Sequence, residues 1–222
     1  DTAFFGHPLL DIVKPSGSKE DIYHNLNLDP SCQVVGILPG SRKNEIQRLL
    51  PIMLEATGRL LEKFPNIQPI IVLASTITDK DVLPYLEAVS FKPMLIRDCT
   101  YDVLSICRVA LISSGTATLE AACLRIPMVI LYKLNWLTYL LGRLLIRIPF
   151  IGLPNIIAGK EVVPELVQSK ANVWNVVEKA SLFIENDHLW TGARDDLSDV
   201  RKRLGCPGAT KKAAEMILER RR

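Results

Sequence analysis

The feature that most constrains this chain is a repeated unit: a short apolar run, a turn of small residues, then apolar positions at helical spacing. Its clearest copy runs Val109-Ala110-Leu111-Ile112, turns at Ser113-Ser114-Gly115 and continues as Thr116-Ala117-Thr118-Leu119-Glu120-Ala121-Ala122. A second copy is Gln33-Val34-Val35-Gly36-Ile37-Leu38, the turn Pro39-Gly40-Ser41-Arg42, and the periodic positions Ile46, Leu49, Leu50, Met53 and Leu54. Residues 69–75, 94–96 and 127–132 read as further buried strands, with one helix starting near Asp79 and another over 101–107. Strands that are apolar at consecutive positions are buried on both faces, and strands alternating with helices build a parallel sheet. The expected fold is therefore α/β, a Rossmann-like doubly wound parallel sheet followed by C-terminal helices. Ligands of such sheets bind beyond the carboxyl ends of the strands, where both Gly-Ser turns fall.

Each turn has the makings of an anion site. Unpaired N–H groups and the positive end of the helix dipole attract a phosphate, and small residues let it approach the backbone. At one turn the hydroxyls of Ser113, Ser114, Thr116 and Thr118 can donate, and Glu120, a turn into the helix, can reach ribose hydroxyls. At the other, the Arg42 guanidinium can grip phosphate oxygens and offset charge on a departing diphosphate. A plainer reading stands beside each, since Ser and Thr cap helices of every kind and an Arg can simply decorate a surface turn. Neither turn has the spacing of a Walker A loop.

Composition excludes some classes. A net charge of +3 without a basic tract or interleaved aromatics leaves no case for a nucleic-acid binder. The five cysteines are scattered, with no CxxC and no metal-ligand spacing, so reduced thiols are expected. The three histidines lie far apart, which argues against a metal site, and His7 before Pro8 stays open between a site and a structural role. A chain opening at Asp1, without Met or signal-like regions, is expected to be a piece of a longer protein.

Residues 3–11 look like a strand end entering a turn, and the Lys-, Ser- and Gly-rich stretch after them like a linker. Residues 151–159 look like a turn-rich loop in which Asn155 could bind a base, a sugar or its own backbone. Helical spacing returns over Val173–Glu185, 189–204 and 210–222, where Arg201-Lys202-Arg203 and Arg220-Arg221-Arg222 read as solvated faces or helix ends. Between Leu134 and Ile151 the chain is apolar on nearly every face, with Arg143 and Arg147 on one side. It is too short and too interrupted to span a bilayer, which takes about 20 mostly apolar residues. A buried core helix and a membrane-lying or acyl-chain-holding surface both remain open.

Taken together, Gly6-His7-Pro8-Leu9-Leu10-Asp11, Leu38-Pro39-Gly40-Ser41-Arg42-Lys43-Asn44-Glu45, Ser113-Ser114-Gly115-Thr116-Ala117-Thr118-Leu119-Glu120, Pro127-Met128-Val129 and Leu153-Pro154-Asn155-Ile156-Ile157-Ala158-Gly159 resemble, in content and order, the lipid-A-disaccharide synthase family. The LPGSR-x-x-E, SGTA-x-LE and LPN segments are the closest parallels, and the chain corresponds to the C-terminal part of that family's longer protein. The resemblance implies a glycosyltransferase of GT-B architecture, inverting at the anomeric carbon. It would transfer 2,3-diacylglucosamine from UDP to 2,3-diacylglucosamine 1-phosphate, giving a β-1,6 disaccharide precursor of lipid A and UDP.

By the same resemblance, Gly40, Ser41, Arg42 and Glu45 fall at a UDP-contacting turn. Ser114, Gly115 and Thr116 face the diphosphate, Glu120 faces the ribose, Ser113 and Ala117 join the UDP contacts, and Arg42 and Asn155 are tied to activity. Residues 1–30 would be the end of an N-terminal domain plus linker, 31–188 the UDP-sugar-binding domain, and 189–222 C-terminal helices. The acceptor-deprotonating carboxylate would belong to the absent N-terminal part, so this chain is expected to bind UDP without turnover. Further expectations are no cofactor or metal, membrane-surface contact through residues 134–151, and a peripheral cytoplasmic location on the inner membrane or its organellar equivalent. A homo-oligomer is compatible with all of this. Two alternatives share the phosphate turns: another UDP-sugar enzyme, such as a peptidoglycan-type glucosaminyltransferase or an epimerase, and a noncatalytic nucleotide- or membrane-binding module.

Overall fold

A computed structural model describes residues 4–134 and 149–219. Six strands form one sheet: β1 (Gln33–Leu38), β2 (Ile67–Val72), β3 (Met94–Ile96), β4 (Cys107–Ser113), β5 (Met128–Tyr132) and β6 (Glu165–Val167). Their order is β3-β2-β1-β4-β5-β6, and every pairing is parallel. The helices are α1 (Leu9–Ile12), α2 (Lys19–Asn25), α3 (Lys43–Lys63), α4 (Leu83–Leu86), α5 (Thr100–Ile106) and α6 (Thr116–Cys123). After β5 come α7 (Leu153–Ala158), α8 (Val173–Glu185), α9 (Asp187–Arg203) and α10 (Ala209–Glu219).

Strand residues alternate between two cores. Val34, Leu38, Ile70, Ala110, Ile112, Met128 and Ile130 face one side, with α1, α2, α5, α6 and the apolar stripe of α9. Val35, Ile37, Ile71, Val109, Leu111, Val129 and Leu131 face the other, with α3 and α8. The period of two along each strand thus supplies both layers, as the consecutive apolar runs predicted. From β1 the chain winds outward through β2 to β3, then returns to β4 beside β1 and winds the opposite way. The order reverses between β1 and β4, where Leu38 pairs with Ile112. A crevice therefore opens between the loops leaving these two strands.

Several sequence expectations need correction. The opening is not a strand end: Leu9–Ile12 is a helical turn whose Leu9 and Leu10 are buried in the core. The polar stretch expected to be a linker contains the start of α2. Ser18 Oγ accepts from Asp21 N at 3.2 Å and Asp21 Oδ2 accepts from Ser18 N at 3.1 Å, a reciprocal cap that seats Ile22 and Tyr23 in the core. The helix expected near Asp79 is a 3-10 turn, Asp79–Asp81, followed by the single turn of α4. The segment expected to be a turn-rich loop contains α7, started by Pro154 near its N-terminus and closed by the left-handed Gly159 (φ 71°).

The arginines of the α9 end have partners inside the fold. Arg201 Nη1 donates to Cys123 O at 2.6 Å, the last carbonyl of α6, and Arg203 Nη1 donates to Ile157 O at 2.8 Å at the end of α7. Both charges stabilise carbonyls that the helices leave unpaired. Cys107 is fully enclosed, and burial pushes its thiol up to about 12, so it stays protonated. Residues 135–148, which hold most of the greasy segment with Arg143 and Arg147, and residues 220–222 lie outside the described residues. Among the described residues no helix is long and apolar enough to cross a membrane.

Because Leu10 is only 3% exposed, residues before β1 are part of the packed body. Leu10→Ala is expected to cost about 2–5 kcal/mol in urea unfolding, the range for emptying a core site. A freely hinged linker there would instead give a change within about 0.5 kcal/mol.

Candidate functional site

The loops leaving β1 and β4 meet on a single cavity of about 340 Å³. Its walls carry Gly40, Ser41, Arg42 and Glu45 from the β1 side, and Ser113, Ser114, Gly115, Thr116, Ala117 and Glu120 from the β4 side. The structure thus brings together every sequence-predicted contact except Asn155 and the Thr118 hydroxyl. It adds Val72 and Ala74 from the end of β2 and Thr100 from α5. These three carry no motif; the β2 strand end is the one sequence signal that points to Val72 and Ala74.

The two corners differ electrically. At the start of α6, Gly115 is the N-cap and makes no side-chain cap. Among the described residues, no acceptor meets the amides of Gly115, Thr116 or Ala117. These are open donors at the positive end of a helix, aimed at a cavity, which is the physical definition of an anion cradle. A Cβ added at Gly115 would meet nothing within 4 Å, so the fold itself does not demand glycine there. Thr118 is turned inward instead: its Oγ1 donates to Gly115 O at 2.7 Å, removing it from the set of hydroxyls expected to face a ligand.

Just ahead of α3 the amides of the cavity-wall residues Ser41 and Arg42 are already engaged. Glu45 Oε2 accepts from Ser41 N at 2.9 Å and Arg42 N at 3.2 Å, and Glu45 Oε1 pairs with Arg42 Nη1 at 3.1 Å. Gly40 has φ 119°, a left-handed region that L side chains avoid, and a Cβ there would come within 2.7 Å of Glu45 Cβ. The loop after β2 braces this corner from outside. Thr76 Oγ1 donates to Ser41 O at 2.6 Å, and Lys43 Nζ meets Asp81 Oδ1 at 2.8 Å. Hydrogen bonds from Lys43 and then Thr78 hold the Asp81 carboxyl well below the usual carboxylate range. The Arg42 side chain is left 80% exposed, tied to Glu45 through Nη1 with the rest of its guanidinium open to an incoming anion.

Glu120 sits in the wall between this cavity and a neighbouring one of about 450 Å³, which also takes in Thr100, Tyr101 and Asp98. Burial pushes the Glu120 carboxyl up. A raised carboxylate favours the protonated form in the fold, so its charge costs stability at neutral pH, and that cost fades as pH falls below the raised value. A carboxylate kept at such a cost, beside a phosphate cradle, is well placed to accept from the hydroxyls of a ribose.

Asn155 lies elsewhere. It is fully buried, donating from Nδ2 to Val163 O (2.8 Å) and Glu165 Oε1 (2.7 Å) and accepting at Oδ1 from Val162 N (2.8 Å) and Val163 N (3.1 Å). Both donors and both lone pairs are engaged inside the fold, so in this structure it ties α7 to β6 and has nothing left for a substrate. Glu165 completes the tie by accepting from Ile151 N and Gly152 N. His7 lies away from this cavity, its Nδ1 accepting from Leu9 N at 3.2 Å.

Solved structures share this fold at low sequence identity. A UDP-GlcNAc 2-epimerase from Neisseria meningitidis, bound to UDP-GlcNAc, superposes with a TM-score of 0.67 and 17% identity over 96% of this chain and 54% of that one. WaaG, a glycosyltransferase involved in lipopolysaccharide biosynthesis, superposes with a TM-score of 0.66 and 12% identity over 95% and 54%. The class is thereby a Rossmann-like half of GT-B type, with its crevice at the strand-order reversal.

Sequence comparison narrows the class. The lipid-A-disaccharide synthetase family matches residues 1–219, and this chain belongs to that family. A lipid-A-disaccharide synthase of Geobacter metallireducens is 42% identical over 98% of the chain, and one of Syntrophus aciditrophicus is 39% identical over 98%. The chain spans only 56% and 57% of those two relatives.

Gly115→Ala is expected to leave folding stability within about 1 kcal/mol, since the new methyl meets open space and the N-cap preference is small. The same change should weaken binding of a nucleoside diphosphate by about tenfold, or ~1.4 kcal/mol, in calorimetry. Unchanged affinity would mean that the α6 amides do not hold the phosphates.

Proposed function

We propose that this chain is the donor-binding part of a glycosyltransferase that moves 2,3-diacylglucosamine from UDP to 2,3-diacylglucosamine 1-phosphate. The products are the β-1,6-linked disaccharide precursor of lipid A and UDP. Membership of the family supports the reaction, and the observation that carries the donor-binding role is the open trio of amides at Gly115, Thr116 and Ala117 facing Arg42 across one cavity.

The chemistry follows from what those groups can do. An acceptor hydroxyl displacing UDP in line at the anomeric carbon builds negative charge on the leaving diphosphate. Fixed N–H dipoles stabilise that charge without reorganising, and the Arg42 guanidinium adds a mobile positive group that closes on it. Glu120 accepts from the ribose and so fixes the nucleoside relative to the reacting bond. In this reading leaving-group stabilisation needs no metal and no cofactor. The base that takes the acceptor proton is supplied by the remaining part of the longer protein, and contact with the membrane surface through residues 134–151 presents the acyl chains. The enzyme accordingly works at the cytoplasmic face of the membrane, on lipid substrates held there.

Asn155 enters this proposal only through the loop it builds. The epimerase alternative shares the fold, but no observation on this chain favours it over the reaction of its own family.

Calorimetry with UDP, CDP and ADP tests the donor site, with UDP expected to bind most tightly. Arg42→Ala should cost about 1.5–3 kcal/mol of UDP binding, the scale of a hydrogen bond to a charged group. Equal affinity for all three nucleotides would reduce the site to a general anion cradle, and no loss in the variant would remove Arg42 from the role.

A further inference from the structure

The charged side chains on the described wall of the cavity are Arg42, Glu45 and Glu120, two carboxylates against one guanidinium. Lys43, the next cation along, is engaged by Asp81. A site that attracts a diphosphate by side-chain charge would have the opposite balance. Attraction here comes from the amides of α6 and from Arg42, and Glu45 works against it.

Glu45 occupies the place that an anion would take at the β1 corner. It holds two backbone N–H groups and one Nη of Arg42, with its own side chain 23% exposed at the cavity wall. The corner is shaped around this carboxylate, because Gly40 must lack a Cβ for Glu45 to fit. The corner at α6, by contrast, carries no internal anion. One of the two corners is thus filled by the protein and the other is left to the ligand.

We infer that Glu45 is a specificity-determining residue, an internal anion that competes with the ligand for Arg42 and limits how much negative charge the cavity accepts. The inference rests on the donor-site reading given above. In a sugar diphosphate the terminal phosphate is esterified, so it carries less negative charge than free UDP. Glu45 therefore opposes the product more strongly than the donor, and UDP leaves after transfer instead of blocking the site. Coulomb repulsion between unit charges several ångström apart at a protein surface is large enough to shift affinity severalfold.

The test is calorimetry on Glu45→Gln with two probes, UDP and UDP-N-acetylglucosamine, alongside the unaltered chain. Glutamine keeps an acceptor oxygen for the Ser41 and Arg42 amides and removes the charge. UDP affinity is expected to rise about fivefold, and UDP-N-acetylglucosamine affinity by about twofold or less. UDP affinity that falls or stays the same, in a variant that melts at the unaltered temperature, would make Glu45 a helix cap only. A second measurement needs no variant: on the unaltered chain UDP-N-acetylglucosamine should bind at least as tightly as UDP. UDP binding tenfold tighter than the sugar nucleotide would overturn the inference. Failure of the unaltered chain to bind either probe would overturn the donor-site reading itself, a different outcome from failure of the Glu45 role.

Discussion

Reversal of strand order between β1 and β4 is the constraint on which the rest of this structure depends. The chain lays β2 and β3 on one side of β1 and β5 and β6 on the other side of β4, so the loops leaving β1 and β4 diverge to opposite faces of the sheet and leave the cavity between them. The helices that follow, α3 and α6, both point their N-termini at that gap. Two helix starts facing one crevice create more unpaired N–H groups than the protein can satisfy at no cost. Glu45 takes the N–H groups of Ser41 and Arg42 just ahead of α3, whereas the Gly115 N–H at the matching N-cap of α6 meets no acceptor among the described residues. That asymmetry, more than any single motif, makes the crevice a site for a ligand carrying its own negative charge.

The same accounting of hydrogen bonds separates residues that look alike in sequence. Asn155 and Arg42 both sit in short Pro- and Gly-containing segments, yet Asn155 is closed off by four internal hydrogen bonds while Arg42 has an exposed guanidinium. Buried polar groups must be paired, and a fully paired one is architecture. Glu45 and Glu120 divide in a similar way. One carboxylate is engaged by amides and a guanidinium; the other is held in the cavity wall with its pKa raised by burial. A carboxylate that faces a cavity while burial disfavours its charge is the stronger pointer to a ligand.

Much of the fold is legible in the sequence because its strands are long enough to show unbroken apolar runs. β1, β2, β4 and β5 all stand out in this way, and the pattern of residues alone puts the two Gly-Ser corners at strand ends. What escapes has a common cause. β6, Glu165-Leu166-Val167, breaks its three residues with a charge, unlike the wholly apolar Met94–Ile96 of β3, and the six residues of α7 are too few to establish a period. The Ser18–Asp21 cap is hidden in a stretch whose composition suggests a linker. The partners of Asn155 at Val162, Val163 and Glu165 come together only once β6 joins the sheet, so its local Pro-Asn context carries no sign of burial. Glu45 is legible as part of a motif expected to contact UDP, but only the three-dimensional arrangement shows that its carboxylate is bonded to Ser41 and Arg42.

The central claim is that the open amides at the start of α6 receive the diphosphate while those of Ser41 and Arg42 remain with Glu45. It is tested most directly by following the backbone amide resonances of an isotope-labelled chain as UDP is added. The amides of Gly115, Thr116 and Ala117 should show the largest shifts and gain protection from exchange, with smaller changes at Ser41 and Arg42. Unchanged resonances at 115–117, with the main response elsewhere on the molecule, would contradict the account.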